Sequence, residues 1–315
     1  MAHASRATVA VISIGQMGLG VAKLLQAHKY RVITNVRDRS SATQERAKSA
    51  GIGLVDSDEE LVAQADYALS IVPPRDAVAT ARRVQVALSK VQRKEELYYL
   101  DLNAISPTTV KSIDRSFTEN APNVRFVDGG IIGAPPAPSA SEASKWTRPG
   151  IPLSGPHALH SAPRNGAHLA ETLNTRYLDA TIGSASGLKC CFAALSKGFT
   201  ALALQSFTTA SSLNVLDPLR DYLDIYNPGA KQKAEKSIVG CTSKAYRWVE
   251  EMNQIGQCFA EEAGFREQAQ VFRQIAEVYD SLADVVEKRG TEGLESAEGV
   301  AGILGEELKG KSRNL

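Results

Sequence analysis

The beginning of the chain constrains the fold more than any other segment. Thr8 to Ile14 is an apolar run rich in β-branched residues, which predicts a buried strand, and it ends in a glycine turn. Met17 to His28 follows with apolar residues at helical spacing, and Arg31 to Asn35 has the pattern of a second buried strand. A strand, a glycine turn, a helix and a second strand in this order are typical of a parallel sheet covered by helices.

The rest of the chain divides into two regions of different pattern. Strand and helix patterns first go on alternating, which predicts a doubly wound α/β domain of the Rossmann type. Gly129 to Pro152 is rich in Gly, Pro, Ala and Ser, which is typical of a functional or mobile loop. A long helical pattern, Ser186 to Leu213, comes later and no strand pattern follows it. We therefore predict a Rossmann domain over residues 1–182 and an all-helical domain over residues 183–315, joined by a long interdomain helix.

The charge balance and the apolar segments bear on the partners of the chain. Lys and Arg number 36 and Asp and Glu 35, so the formal charge is +1, whereas a nucleic-acid-binding surface usually shows a basic excess. Gly198 to Leu216 carries no charge, but it contains Gln205, Asn214 and six Ser or Thr residues, which favours a buried helix over a membrane span. We expect a small-molecule ligand and neither a nucleic acid nor a membrane as partner.

The cysteines and histidines show no metal-binding or disulfide pattern. The absence of a CxxC pair is typical of reduced thiols in a cytoplasmic protein, and this applies to Cys190, Cys191, Cys241 and Cys258. No helix-spaced pair of ligands with a nearby carboxylate is formed by His157, His160 and His168. We therefore expect no metal site and a cytoplasmic location.

The glycine turn after the first strand is the first candidate site. It is the dinucleotide-binding pattern GxGxxG with serine in place of the first glycine, and it comprises Ser13, Ile14, Gly15, Gln16, Met17 and Gly18. Gly15 would let main-chain N–H groups approach a pyrophosphate, and Gly18 would let the helix pack close to the strand. The alternative is an ordinary tight turn. The position between a strand and a helix favours the nucleotide site.

The end of the second strand bears on which dinucleotide binds. Asn35, Arg37, Arg39 and Ser40 offer charge-assisted and neutral hydrogen bonds that suit a ribose 2′-phosphate, so we predict NADP. Asp38 leaves NAD open, because a carboxylate there could accept from the ribose 2′-hydroxyl. It could also pair with a neighbouring arginine.

Five segments, in this order along the chain, carry a resemblance to a known family. They are Ile14 to Gly18, Ser70 to Pro73, Asp101 to Pro107, Asp128 to Gly133 and Gly183 to Lys189. Together they resemble the β-hydroxyacid dehydrogenase superfamily, which includes 3-hydroxyisobutyrate dehydrogenase, 6-phosphogluconate dehydrogenase and the imine reductases. The C-terminal region is most similar to the 6-phosphogluconate-dehydrogenase-like branch. The resemblance implies an oxidoreductase that works as a homodimer with shared active sites.

The resemblance also implies roles for particular residues. Val72 and Pro73 would lie along the cofactor, and Asn103 would bind its ribose or its nicotinamide amide. The residues in contact with the substrate would be Ser106, Gly130 and Ile131. Lys189 would be the catalytic lysine.

The neighbours of Lys189 indicate how it could act. It lies near the start of the long helix and beside apolar residues, so both desolvation and the positive helix end would lower its pKa from about 10.4. Such a lysine could exchange a proton with the substrate oxygen as a general acid or base. Lys197, eight residues on, lies on roughly the same helix face. It could be a second cation for a carboxylate substrate, or a solvated side chain.

The sequence departs from the family pattern in the substrate region. Gly129 and Gly130 stand where relatives carry Ala-Pro, and Ala193 stands where they carry Asn. A less polar pocket argues against 6-phosphogluconate as substrate. We therefore predict an NADP-dependent oxidoreductase acting on a small 3-hydroxy acid or its carbonyl counterpart. The alternatives are an NADPH-dependent imine reductase of secondary metabolism and a non-catalytic NADPH-binding protein.

Overall fold

A computed structural model describes residues 5–139, 145–266, 269 and 271–312. The chain forms two compact units, Met1–Cys190 and Cys191–Leu315, which we call the N-terminal and the C-terminal unit. The predicted domain boundary after residue 182 coincides with the start of a long helix, whereas the two units divide within that helix. The first turns of this helix therefore pack as part of the N-terminal unit.

The N-terminal unit is built on one eight-stranded sheet. Its strands, in chain order, are β1 (Thr8–Ile12), β2 (Arg31–Thr34), β3 (Gly53–Leu54), β4 (Tyr67–Ser70), β5 (Leu97–Asp101), β6 (Val124–Gly129), β9 (Ile151–Ser154) and β10 (Thr175–Tyr177). The spatial order is β10-β9-β6-β5-β4-β1-β2-β3, and every neighbouring pair is parallel except β6 with β9. A separate antiparallel pair is formed by β7 (Ala137–Pro138) and β8 (Trp146–Thr147).

Helices connect these strands and cover both faces of the sheet. They are α1 (Gln16–Ala27), α2 (Ser41–Ser49), α3 (Asp58–Gln64), α4 (Ala77–Ser89), α5 (Pro107–Asn120) and α6 (Gly166–Thr172). Strands β4 and β5 are buried along their whole length, as expected for the centre of a parallel sheet. The buried apolar side chains form two clusters, which correspond to the two covered faces. The predicted doubly wound Rossmann-type fold is confirmed.

The C-terminal unit is helical throughout its described part. Its helices are α7 (Ser184–Ser212, which starts in the N-terminal unit), α8 (Leu216–Tyr226), α9 (Pro228–Cys241), α10 (Ala245–Ala263), α11 (Val271–Arg289) and α12 (Ala297–Ser312). Edge-to-face aromatic pairs join α10 to α11, Trp248 with Tyr279 and Phe259 with Phe272. Gly264 ends α10 in the left-handed conformation with a φ of 74°.

Helix α7 is long and apolar enough to cross a membrane by length and composition. Only 44% of its most apolar window is buried. The finding is weak evidence for a membrane span, because the core helix of a soluble protein passes the same test. The sequence predicted a buried helix over Gly198 to Leu216, whereas the helix is only partly buried and ends at Ser212.

Several elements carry too weak a pattern to be predicted. Strands β9 and β10 and helix α6 follow the loop-rich segment, and helices α9 and α12 lie further on. Strand β9 contains Pro152, and proline is rare inside sheets because it cannot donate a ladder hydrogen bond. It is also the strand that runs antiparallel to β6. This pairing joins residues that are far apart in the sequence, and no local pattern predicts it.

Candidate functional site

The glycine turn lies between β1 and α1, as predicted. Helix α1 begins at Gln16, and its capping residue is Gly15. Because glycine has no side chain, no capping side chain binds the amides of the first turn. The first intrahelical bond runs from Leu19 N to Gly15 O at 2.9 Å. A Cβ on Gly15 would meet only Ser13 Oγ, at 4.0 Å, so this side of the turn is open. Free amides at an open helix start fit the pyrophosphate of a dinucleotide.

Gly18 and Ser13 face each other across this turn. A Cβ on Gly18 would lie 1.9 Å from Ser13 O, so only glycine allows the helix to pack this closely. Ser13 itself adopts a φ of 86°, a region where a side chain costs about 1–2 kcal/mol. Glycine usually occupies this first position of the pattern. The serine therefore preserves the turn at a cost in backbone strain.

The segment after β2 is ordered by hydrogen bonds of its own. Asn35 donates from Nδ2 to Asp58 Oδ1 at 2.8 Å and accepts at Oδ1 from Arg37 N at 3.1 Å. Ser40 caps α2, because its Oγ accepts from Thr43 N at 3.4 Å. Asn35 and Ser40, both predicted to bind the phosphate, thus also form hydrogen bonds within the protein. The predicted cofactor role of both remains a prediction.

The arginines of this segment are exposed on the surface of the unit. Gln44 Nε2 donates to the main-chain oxygens of Arg37 and Arg39, at 3.0 and 2.9 Å, and so holds the loop by its backbone. A third arginine was not anticipated. Arg46 donates from Nη1 to Ile14 O at 2.9 Å, which places a guanidinium directly beside the glycine turn. No sequence pattern distinguishes Arg46 from an ordinary solvated residue of α2.

Asn103 ties together the ends of two central strands. Its Oδ1 accepts from Val72 N at 2.7 Å, and its Nδ2 donates to Ser70 Oγ at 3.0 Å. The residue is only 2% exposed. It therefore holds the Val72–Pro73 segment, where the resemblance places the cofactor, against the end of β5. Its predicted hydrogen bond to the cofactor remains a prediction.

Two buried carboxylates lie side by side at the ends of β5 and β6. Asp101 is paired in register with Asp128 on the adjacent strand. Asp101 Oδ1 accepts from Asn103 N at 3.1 Å, whereas Oδ2 has no partner among the described residues. Burial, with a smaller contribution from Asp128, raises the pKa of Asp101 to about 7. Ionisation of this buried carboxyl group therefore lowers the free energy of unfolding.

We expect Asp101→Asn to stabilise the protein at pH 8 and to have little effect at pH 4. The carboxyl group has a pKa of about 7 when folded, against the ordinary value of 3.8. The protonated carboxyl group contributes fully to the free energy of unfolding below pH 4, and this contribution is lost as the pH rises towards 7. Each pKa unit corresponds to about 1.4 kcal/mol, so the gain at pH 8 should reach a few kcal/mol. Urea unfolding at both values of pH measures it.

The exposed Asp221→Asn serves as the control for that experiment. Its side chain lies on the surface of α8, so its unfolding free energy should follow the wild type at both values of pH. A constant difference between Asp101→Asn and the wild type from pH 4 to pH 8 would contradict the expected effect.

Lys189 lies in the second turn of α7, against the segment that follows β6. Its Nζ donates to Ile131 O at 2.5 Å. A Cβ on Gly130 would lie 2.8 Å from Lys189 Cβ, so the main chain and the lysine touch at this point. The structure thus brings together three residues that were predicted from the sequence. Because β6 is parallel to the central strands, they lie at the carboxyl edge of the sheet, where doubly wound domains bind ligands.

Ser106 has a structural partner of its own. Its Oγ caps α5 by accepting from Thr109 N at 3.2 Å, and the residue is fully buried. Pro107, the next residue, lies beside the start of α7, since a Cβ on Gly183 would meet it at 3.2 Å. Ser106 therefore stands near the helix that carries Lys189. Its contact with a substrate remains a prediction.

We expect Gly130→Ala to lower the turnover of the substrate about tenfold or more and to leave cofactor affinity nearly unchanged. The added Cβ would meet Lys189 Cβ, which is the fixed end of that side chain, so the helix or the loop must move. Gly150→Ala is a matched control, because a Cβ there would meet only Ile132 O at 4.0 Å. Equal turnover for both variants and the wild type would contradict this account.

Asp128 forms the densest polar contacts near Lys189. Its Oδ2 accepts from Ser154 Oγ and Gly183 N, both at 2.9 Å, and from Ser186 N at 3.3 Å. Its Oδ1 accepts from Ser186 Oγ at 2.5 Å. The sequence alone predicts an uncapped positive helix end at the start of α7. The structure shows that a carboxylate caps it, which offsets the helix dipole.

Lys197 belongs to the C-terminal unit. It forms an ion pair with Glu251 and lies over the ring of Trp248, with Nζ 4.9 Å from the ring centroid. Only 14% of its side chain is exposed. Its charge is thus balanced within the unit, and its predicted role as a second cation for the substrate remains a prediction. Within the described ranges, no group of three or more His, Cys, Asp or Glu side chains could hold a metal ion.

Comparison with known families agrees with this geometry. Residues 8–143 match the family model described as the NAD binding domain of 6-phosphogluconate dehydrogenase. The N-terminal unit is an NAD(P)-binding domain. Residues 210–282 match a domain of unknown function, DUF1932, so the NAD(P)-binding domain is followed by a second recognised segment. The two matches confirm the predicted resemblance to the β-hydroxyacid dehydrogenase superfamily.

Individual proteins resemble this chain in sequence or in fold. An uncharacterized 28.5 kDa protein of Methanothermus fervidus is 26% identical over 198 residues, 62% of this chain and 68% of the relative. The 3-hydroxyisobutyrate dehydrogenase of Mycobacterium tuberculosis, solved with L-serine, has a TM-score of 0.62 at 14% identity, covering 95% of this chain and 98% of that one. An imine reductase of Myxococcus stipitatus, in complex with NADP+, has a TM-score of 0.52 at 17% identity, covering 93% and 98%. The NAD(P)-binding domain and the helical region thus have the fold of the 3-hydroxyacid dehydrogenases.

Proposed function

We propose that this protein is an NADP-dependent oxidoreductase that transfers a hydride between the nicotinamide and a small 3-hydroxy acid or the matching carbonyl compound. The observation that carries the proposal is the position of Lys189. Its amine is held by Ile131 O at the carboxyl edge of the sheet of an NAD(P)-binding domain. A proton-transfer group is needed at this edge, because hydride transfer to a carbonyl carbon leaves a negative charge on the oxygen.

Individual residues of the chain would have separate roles in this reaction. The bound nicotinamide supplies or accepts the hydride. The open helix start at Gly15 would hold the pyrophosphate of the cofactor. Lys189 donates a proton to the substrate oxygen during reduction and accepts it during oxidation. Gly130 leaves room for the lysine stem against the main chain. The hydrogen bond to Ile131 O fixes where the amine lies.

The preference for NADP is supported by the segment after β2. Arg37 and Arg39 are exposed there, and Arg46 reaches the neighbouring turn. A guanidinium binds a phosphate by charge-assisted hydrogen bonds worth about 1.5–3 kcal/mol each. Replacing Arg37 and Arg39 together by Gln should weaken NADPH binding about 100-fold and change NADH binding little. Fluorescence titration with both cofactors measures this, with Arg82→Gln on α4 as the control. Tighter binding of NADH than NADPH by the wild type would reject the preference.

The reaction itself is tested with substrate panels. We expect NADPH oxidation with 3-oxo acids and related aldehydes, and NADP+ reduction with the corresponding 3-hydroxy acids. Turnover of cyclic imines alone would instead support an imine reductase, a function favoured by the structural likeness to the imine reductase of Myxococcus stipitatus. Tight NADPH binding without turnover on either panel would support a non-catalytic NADPH-binding protein.

A homodimer is the assembly that we propose for this enzyme. Within the C-terminal unit, α7 exposes large apolar side chains along one stripe: Phe192, Leu195 and Leu202 are 48%, 79% and 58% exposed. Leu195 and Leu202 are seven residues apart, which is the spacing of paired helices. A second copy of the same helix covers such a stripe by symmetry. Light scattering should show a dimer, and replacing both leucines by Glu should yield monomers, whereas a monomeric wild type would reject the proposal.

A further inference from the structure

We propose that Asp128 is a positioning residue for Lys189: it fixes the first turn of α7 against the end of β6 and thereby sets where the lysine amine lies. The inference rests on the proposed function of Lys189. Asp128 accepts hydrogen bonds from Gly183 and Ser186 at the start of α7, so it acts on the lysine through the helix. It is therefore distinct from a group that takes part in the chemistry.

The first point of attachment is the start of the helix. Asp128 accepts from the amides of Gly183 and Ser186 and from the hydroxyl of Ser186. Ser154, on β9, donates to Asp128 and accepts from Ala185 N at 3.0 Å. Three amides of the first turn are thus held by side chains of two strands. The helix can neither slide nor rotate without breaking this set of bonds.

The second point of attachment lies about one turn further along α7. The chain that follows Asp128 runs beside the helix, where Gly130 meets Lys189 Cβ and Ile131 O accepts from Lys189 Nζ. One short segment, 128–131, therefore contacts the helix at residues 183–186 and again at residue 189. A shift of α7 by one residue would turn the lysine by about 100° away from this segment.

The buried position of Asp128 agrees with a specific role. Burial raises the pKa of its carboxyl group, and the hydrogen bonds from Ser186, Ser154 and Gly183 counter that effect. Four donors aim at its two oxygens. Such an arrangement is made for a carboxylate, which accepts hydrogen bonds and donates none.

The choice of variants separates geometry from charge. In Asp128→Asn, the amide oxygen can accept the three bonds made at Oδ2, and the amide nitrogen can donate to Ser186 Oγ, whose hydroxyl then accepts. This variant keeps the attachment without the charge. Asp128→Ala removes the attachment. Ser154→Ala is a milder change that removes the bonds of Ser154 to Asp128 and to Ala185 N but keeps those of Asp128 to Gly183 and Ser186, and it serves if Asp128→Ala fails to fold.

Activity is measured in a double-mutant cycle with Lys189→Met. We expect Asp128→Ala to lower kcat about 10- to 100-fold, with NADPH affinity nearly unchanged, and Asp128→Asn to retain most of the wild-type kcat. In the Lys189→Met background, Asp128→Ala should cause little further loss, because its effect passes through the lysine. An equal loss of kcat in both backgrounds would overturn the proposal.

A second readout does not depend on turnover. Competitive labelling of amines with acetic anhydride, read by peptide mass spectrometry, reports the environment of Lys189 in the folded protein. We expect Asp128→Ala to change the labelling rate of Lys189 relative to the exposed Lys94 by about threefold or more. Asp66→Asn is the control, because Asp66 likewise accepts a main-chain amide, Thr8 N at 2.8 Å. Unchanged labelling in Asp128→Ala would overturn the positioning role. Absence of turnover by the wild type would count against the proposed function alone.

Discussion

Replacing Lys189 by Met is expected to lower kcat for carbonyl reduction about 10²–10⁴-fold. Methionine keeps an unbranched side chain of similar size but cannot carry a proton to the substrate oxygen or donate to Ile131 O. The free energy of unfolding should change by less than about 1.5 kcal/mol, as for other swaps that conserve volume. Affinity for NADPH should remain near the wild-type value, because the proposed cofactor residues lie in other segments.

The measurement combines steady-state kinetics with cofactor titration. Lys94→Met, at an exposed lysine of the same unit, should match the wild type in both. A Lys189→Met enzyme with unchanged kcat would remove the proton-transfer role from this residue. A variant that loses carbonyl reduction but keeps imine reduction would show that the two reactions use different proton donors.

Gly18→Ala is expected to weaken NADPH binding at least about 100-fold, which corresponds to about 2.7 kcal/mol. The new Cβ would lie 1.9 Å from Ser13 O, which is a main-chain atom and cannot swing away. The start of α1 must therefore move from the turn, and the amides that meet the pyrophosphate lose their arrangement. Overpacking of this kind should also cost about 1–3 kcal/mol of unfolding free energy.

Two further variants test that explanation. Gly302→Ala, in the interior of α12, would meet nothing within 4 Å and should stabilise the protein by about 0.5–1 kcal/mol without affecting NADPH binding. Ser13→Gly should relieve the strained φ of 86° and stabilise the turn by about 1 kcal/mol. Wild-type affinity in Gly18→Ala would refute the close packing that the structure shows.

The central part of the fold could be predicted because its signals are local. Strands β1, β4 and β5 are buried on both faces, so they form continuous apolar runs that stand out from the intervening helices. The glycine turn is local as well, since Gly15 and Gly18 act within one turn of chain. The long helix α7 is predicted for the same reason.

The candidate site could be predicted only in part. Lys189, Gly130 and Ile131 were expected to be near each other from the resemblance, and the structure places them in contact. Arg46 was missed, because a lone arginine on a polar helix has no distinguishing pattern. Asp128 was seen only as part of a motif, and no role could be assigned to it.

The sequence by itself determined the elements whose reason lies within a few residues: the strand–helix alternation, the glycine at position 18 and the long apolar helix. Only the tertiary structure decided how distant residues share one buried network. Ser154 and Ser186 lie 26 and 58 residues from Asp128, yet both donate to its carboxylate. A buried carboxylate needs hydrogen-bond donors wherever the fold can bring them. The donors must lie close to the carboxylate in space, whatever their distance along the sequence. These partners therefore could not be predicted before the strands and α7 were placed.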